Sequence, residues 1–384
     1  TSPHQPVDDK VPGIGLGLWG QWFDRNETWA SQAGAWTDYL ARSCFLLRQG
    51  KFVADVAYYY GEDSNVTARY QTRMPKFPNT YNYDFVSPSI VKDVLKVDNG
   101  QLVTATGMRY RVLWLDNVSM ISIKMLRRIK QLADAGVTIA GDKPKTLVGL
   151  DGTVEEFDSL VKDIWGSGRK NVTTGVSIGK VLANTGVAPD VTFSDAKANI
   201  KFVHRRLNDG EIYWIANQTK QARKFTASFN VTGKKPQLWH ADTGAKEDVS
   251  YEMVDGRTRV TLDMPAYDAV FVVFVDDTDV PAVTLAESTR TAFAEFAQPW
   301  TVSFQAHRGA PSQIALDSLA SLTESSEQGV KYFSGVATYT NNFKVAKKSL
   351  KKNASSRILL DLGEVKDLAE VTVNGQTVGV VWHA

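Results

Sequence analysis

Helical periodicity in this chain stops at Pro189, and that switch constrains the fold more than any other feature. Before it, apolar runs of strand length ("FVADVAYYY", "MRYRVLWLD", "VTIAG") alternate with amphipathic stretches of helix length ("SIKMLRRIKQLADAG", "VEEFDSLVKDIWG", "SIGKVLANTG"). "SPSIVKDVLKV" reads as a further helix, because Ser87 is a capping residue and Pro88 suits the first turn. Strands separated by helices in this way predict a parallel sheet covered on both faces, a Rossmann-like α/β domain over 51–186. After Pro189 only short alternating runs remain ("IKFVHRRL", "EIYWIANQ", "ARKFTASFNV", "RTRVTLDM", "DAVFVVFV"), with hairpin signals at Asn208-Asp209-Gly210 and at 254–257. They predict a β-sandwich over 187–278. A polar linker ("DDTDVPAVTLAES") leads to a second β region over 285–384, which carries the hairpin signal Asn374-Gly375. The fold class is therefore multidomain, α/β plus all-β.

Residues 1–50 fit neither pattern. The first part is loop-like, rich in Gly, Pro and Trp. From residue 30 the apolar spacing turns helical through Ala33, Trp36, Tyr39, Leu40, Cys44 and Leu47, and Gly50 fits a C-terminal cap. Cys44 is the single cysteine, so an intrachain disulfide and a cysteine metal cluster are excluded; its apolar neighbours predict a small buried side chain. A net charge of +2 on 384 residues gives no electrostatic pull toward nucleic acid. The basic run "KVAKKSLKK" reads as a solvated loop. No apolar run is long enough to insert in a membrane, and no signal peptide is visible. The chain opens on "TSPHQP" and closes inside a strand pattern, so both ends read as cuts in a longer protein.

The chemistry concentrates in "GLWGQWFDRNETW", from Gly17 to Trp29. A core plug would use Trp22 and Phe23 but has no need of Asp24, Arg25, Asn26 and Glu27. Sugars are held by apolar ring faces on flat aromatics, with fixed polar groups taking the hydroxyls. Trp19, Trp22 and Trp29 with Arg25 and Asn26 have that composition, so carbohydrate is the expected ligand. His4 and Gln5, beside prolines just upstream, are candidates for a hydroxyl contact, with a structural role for His4 left open. Glu62, in "YYYGEDSN", follows the end of a strand, where ligands gather in open parallel sheets; a capping role is the plain alternative. Glycoside hydrolysis needs a pair of carboxylates, and Glu62, Asp63, Asp24, Glu27 and Asp8-Asp9 make no convincing pair. "GIGLG" at 13–17 lacks the strand, helix and spacing of a dinucleotide fingerprint, and "GDKPKT" lacks the paired glycines of a phosphate loop. His204, His240, His307 and His383 show no metal-ligand spacing.

The stretches "TSPHQPVDDKVPGIGLGLWGQWFDRNETWA", "YLARSCFLLRQGKFVADVAYYYGEDSN", "YNYDFVSPSIV", "MRYRVLWLD" and "FVHRRL" resemble the C-terminal half of α-L-rhamnosidases of glycoside hydrolase family 106. "YFSGVATYTNNFKV" and "RILLDLGEVKDLAEVTVNGQTVGVVW" resemble the sugar-binding jelly roll of glycoside hydrolase family 2. The resemblance implies that residues 1–50 are the tail end of a (β/α)8 barrel, with 30–49 its closing helix. It implies further that 285–384 is a truncated galactose-binding-like jelly roll. It implies an inverting, calcium-dependent hydrolase that releases terminal α-L-rhamnose, secreted or periplasmic in a bacterium. Its catalytic acid and base would lie upstream of Thr1, and no calcium ligand is identifiable. His4, Gln5, Trp19, Trp22, Arg25, Asn26, Trp29 and Glu62 remain as candidate substrate contacts. Two other readings stay open: a non-catalytic carbohydrate-binding or adhesion protein, and a barrel glycosidase of β-galactosidase type.

Overall fold

The computed structural model describes residues 27–62, 76–195, 199–286, 299–345, 358–366 and 368–382, together with 291, 292, 294 and 296. It is a mixed α/β structure with several sheets. Tyr39–Leu285 forms one compact unit; Thr1–Asp38 with Ala286–Ala384 forms another.

Inside Tyr39–Leu285 a five-stranded parallel sheet runs in the order Val172–Thr173, Thr138–Gly141, Val112–Leu115, Val56–Tyr59, Tyr83–Val86. Val56–Tyr59 and Val112–Leu115 are buried along their whole length. Both of their faces are covered, and that is why their sequences are unbroken apolar runs rather than alternating ones. Ala57, Tyr59, Leu113 and Leu115 face helices α2 (Ile123–Asp134) and α3 (Val154–Trp165). Val56, Tyr58, Val112 and Trp114 face the short helix α4 (Ile178–Asn184). Side-chain caps start the two long helices: Ser122 Oγ accepts from Met125 N, and Thr153 Oγ1 from Glu156 N. Gly136, at φ +88°, closes α2 in the left-handed region.

Two readings of this part change. The stretch 87–97 is not a helix of ordinary length. It makes one π-helical turn, Ile90–Val94, and then the hairpin Lys96–Asp98/Gln101–Val103. Asn99 and Gly100 form its turn at positive φ, as an Asn-Gly pair favours. "FVADVAYYY" is two strands, not one. Lys51–Phe52 pairs antiparallel with the sandwich strand Ile200–Arg206, and only Val56–Tyr59 enters the parallel sheet. Asp55 stands at the crossing.

The sandwich has a six-stranded sheet ordered Lys51–Phe52, Ile200–Arg206, Glu211–Asn217, Ala269–Asp277, Lys234–Trp239, Lys246–Asp248. Against it lies a five-stranded sheet ordered Val191–Phe193, Arg223–Phe229, Arg257–Met264, Tyr251–Val254, Ala282–Val283. The last of these comes from the stretch read as a linker. Phe202, Tyr213, Phe225, Phe229, Leu262 and Phe274 fill the space between the sheets. The outer face of the six-stranded sheet is also covered. Leu46, near the end of α1 (Ala33–Leu47), packs with Ile212, Phe271 and Val273. Arg42 Nη1 donates to the carbonyls of Ala241 (3.0 Å) and Asp242 (2.9 Å). Cys44 is exposed rather than buried, because Tyr39, Ser43, Leu46 and Leu47 take the packed face of that turn.

In the other unit, Gln313–Leu316, Trp300–Phe304 and Ala337–Thr340 form an antiparallel sheet over Val302, Phe304 and Val330. Ala369–Val373 and Gln376–Val381 form a hairpin turned at Asn374-Gly375.

Candidate functional site

Of the eight candidate contacts, His4, Gln5, Trp19, Trp22, Arg25 and Asn26 lie outside the described residues. Trp29 and Glu62 lie within them, in different units.

Trp29 precedes the 3-10 turn Ala30–Gln32 that leads into α1. Its ring meets Trp382 edge-on, with centroids 5.3 Å apart, and Trp36 stacks on the same Trp382 at 6.0 Å. Trp382 Nε1 donates to the Gln32 carbonyl (3.3 Å), and Gln32 Nε2 donates to Glu370 Oε2 (2.9 Å). Three half-buried tryptophans thus gather beside an amide and a carboxylate. Such a cluster offers both flat apolar surface and hydrogen-bonding groups, the two needs of a sugar ring.

Glu62 sits just past the C-terminal end of Val56–Tyr59, the strand next to the central one. Ser122 N donates to its Oε2 (2.7 Å) and Ser122 Oγ to its Oε1 (2.9 Å). The carboxylate therefore rests on the N-terminus of α2, where free N–H groups and the helix dipole favour negative charge. Two further acids stand at the same ends of neighbouring strands. Asp116 follows Val112–Leu115 and accepts from the Tyr58 hydroxyl (3.1 Å); Asp142 follows Thr138–Gly141 and accepts from Asn117 N (3.0 Å). Sequence reasoning singled out neither. The signal was present in "WLD" and "AGD", an acid directly after an apolar run, as in "YYYGE". Beside Asp116, Tyr58, Phe77, Tyr83, Phe85 and Trp114 make a continuous set of ring contacts.

A cleft of about 650 Å³ opens at one end of the sandwich, lined by Arg206, Asn208, Asp209, Glu211, Asn230 and Lys234 among others. It has no aromatic wall, so it offers no stacking surface for a sugar. Among the described residues, no group of three or more His, Cys, Asp or Glu side chains could hold a metal ion, and no helix is long and apolar enough to cross a membrane.

The family model for glycoside hydrolase family 106, described as alpha-L-rhamnosidase, matches residues 1–253. This chain belongs to that family. Its fold superposes on a rhamnosidase from Novosphingobium sp. PP1Y with a TM-score of 0.83 and 40% identity, over 100% of this chain and 37% of that one. A curated protein of Formosa agariphila named "Putative beta-glucuronidase" is 35% identical over 280 residues, 71% of this chain and 24% of its own length. The chain thus spans about a quarter of the curated relative and little more than a third of the rhamnosidase.

Proposed function

We propose that this family 106 chain serves a glycoside hydrolase that removes terminal α-L-rhamnose from polysaccharides or glycosides, with inversion at the anomeric carbon. The observation that carries the reading is the family match over 1–253, which includes the whole tryptophan loop; the superposition on a rhamnosidase supports it. In this reading Trp19, Trp22 and Trp29 present ring faces to the sugar, and His4, Gln5, Arg25 and Asn26 take its hydroxyls. Glu62 contributes by fixing the start of α2, since both its oxygens are engaged there. Inversion needs an acid and a base about 6.5–9.5 Å apart, with a water between them. That acid and base are assigned upstream of Thr1; calcium belongs to the same reading, with no ligand set identifiable among the described residues. Residues 1–50 then act as the last part of a (β/α)8 barrel, whose sugar site lies on its loops, and the working location is outside the cytoplasm. A β-glucuronidase is the second reading, resting on the name of the Formosa agariphila relative.

The chain is titrated calorimetrically with L-rhamnose and with D-glucuronate, and assayed on the aryl α-L-rhamnoside and aryl β-D-glucuronide with calcium. Saturable binding of rhamnose in preference to glucuronate, with turnover below about 1 per second, is the expected result. Preference for glucuronate moves the assignment to the second reading. Binding of neither sugar removes the tryptophan loop from substrate recognition. Turnover at ordinary enzymatic rates refutes the placing of acid and base outside the chain.

A further inference from the structure

The junction between the parallel sheet and the sandwich holds a buried acid–histidine cluster that the sugar chemistry does not use. His204, 1% exposed, lies between two carboxylates: Nδ1 is 2.8 Å from Asp190 Oδ2, and Nε2 is 2.8 Å from Glu211 Oε2. Tyr213, paired with it across the strands, stacks on the imidazole at 3.9 Å and donates its hydroxyl to Asp190 Oδ1 (2.9 Å). Arg206 Nε donates to the other Glu211 oxygen (2.9 Å). An imidazole can satisfy two ionised carboxylates at once only as the imidazolium, with both nitrogens donating. A neutral ring would turn a lone pair toward one of them. The geometry therefore stores a proton on His204.

The same residues tie the two modules together. Val53 N donates to the His204 carbonyl (3.0 Å), and Asp190 N to the Thr80 carbonyl (3.0 Å). Arg257 donates to the carbonyls of Pro189 (2.8 Å) and Asp190 (3.0 Å), and the Tyr81 hydroxyl to the Val187 carbonyl (2.9 Å). Asp55 stands where the chain crosses from the sandwich to the parallel sheet. Its N–H donates to Asn82 O (3.1 Å), and its carbonyl accepts from Arg111 N (2.7 Å). The charged groups facing Asp55 are Asp190, Arg111, His204 and Arg206. Those facing His204 are Asp190, Glu211 and Asp55 itself. Tyr81 and Arg257 complete the ring of titratable side chains on the elements packed here. Each module has a core of its own.

We propose that this cluster is a proton-loaded clamp: protons on His204 and Asp55 lock the parallel-sheet module to the sandwich, and their successive loss as pH rises loosens the joint while both cores persist. The electrostatics of the cluster point the same way. Burial, and then the charge of Asp190, push the Asp55 carboxyl up to about 6. At His204 burial opposes the charge, but Asp190 and Glu211 outweigh it and hold the ring above its ordinary value. Both groups bind protons more tightly folded than unfolded. Their contribution is therefore full at low pH; it falls between about 4 and 6 for Asp55, and from about 6.5 upward for His204.

Hydrogen exchange on the chain, corrected for the intrinsic pH dependence of exchange, tests the clamp. From pH 5 to pH 8.5 the protection factors of Val53, Asp55 and Asp190 should fall at least tenfold relative to those of Leu113 and Leu115 in the central sheet. In Asp55→Asn the part of the fall below pH 6.5 should vanish and the part above it remain. His204→Gln should flatten the upper part, and if it does not fold, Asp55→Asn decides the matter. A constant ratio of junction to core protection across this range overturns the proposal. So does an Asp55→Asn profile identical to the parent.

Discussion

Removal of the Glu62 carboxylate should unseat the start of α2. In Glu62→Ala the N–H and hydroxyl of Ser122 lose their acceptors at 2.7 and 2.9 Å, and the dipole of α2 loses its anion. Hydrogen bonds to a charged acceptor contribute about 1.5–3 kcal/mol each in buried settings. Glu62 and Ser122 are only half-buried, so water replaces part of what is lost. A net cost of about 2 kcal/mol follows, with the dipole contributing ~0.3–1 of it. Glu62→Gln keeps one oxygen acceptor but turns an amide N–H₂ toward Ser122, and should cost about 1 kcal/mol. Urea unfolding followed by far-UV circular dichroism gives the totals, and hydrogen exchange at Met125 reads the cap itself. Destabilisation below about 0.5 kcal/mol in Glu62→Ala would refute the capping argument. The same variants address the sugar. If Glu62 only holds α2, Glu62→Gln binds rhamnose as the parent does; a tenfold loss of affinity with unchanged Met125 protection would place the carboxylate on the ligand.

Much of the fold was legible because its central elements obey one rule at a time. The runs "VAYY" and "VLWL" are apolar at every position because helices cover both faces of the sheet. α2 and α3 announce themselves by periodicity and by Ser122 and Thr153 at their caps. The turns at Asp255-Gly256 and Asn374-Gly375 adopt the positive φ that their residues permit. The misreadings arise where two rules compete. Ser87-Pro88 and the spacing of Ile90, Val91, Val94 and Leu95 argue for a helix, yet Asn99-Gly100 requires a hairpin, and the sheet Lys96–Asp98/Gln101–Val103/Arg109–Tyr110 wins through tertiary pairing. In "FVADVAYYY" the acid in mid-run, Asp55, marked the break that an unbroken strand reading passed over.

The site was less legible, because its contacts are distant in sequence. Glu62 showed itself as an acid after a strand, but its partner Ser122 belongs to another helix. In the sequence His204 is one of several scattered histidines. Its acids lie at 190 and 211 with no metal-like spacing, and only the antiparallel register that sets His204 opposite Tyr213 brings them together. Trp29 stands out through the composition around it; its contact with Trp382 spans nearly the whole chain.

Gly141→Ala should cost about 2–4 kcal/mol in urea unfolding. At φ +114° a Cβ would come 2.1 Å from the Leu115 carbonyl oxygen, so the neighbouring strand must shift as well; a loss under about 1 kcal/mol would show that the ends of these inner strands give way freely. Calcium should leave the melting temperature of this chain within a degree or so (~1 °C) of its value in EDTA, because no group of three or more His, Cys, Asp or Glu among the described residues could hold the ion; a clear rise with calcium would place ligands among the remaining residues of this chain. Trp29 calls for a double comparison, because its edge-to-face pair with Trp382 gives it a structural role whatever it does for sugar. Such a pair adds ~0.5–1.5 kcal/mol beyond area burial, so Trp29→Ala and Trp382→Ala should each destabilise the chain by about 1–3 kcal/mol. Their double mutant should fall short of the sum by about 1 kcal/mol. Packing alone moves stability in both variants and rhamnose affinity in neither, or in both together. Contact with the sugar is specific to the residue that makes it: Trp29→Ala should weaken rhamnose binding at least tenfold, while Trp382→Ala, with the same loss of stability, leaves it within twofold of the parent. Equal losses of affinity in the two variants would refute a sugar-facing Trp29 and leave it as the packing partner of Trp382.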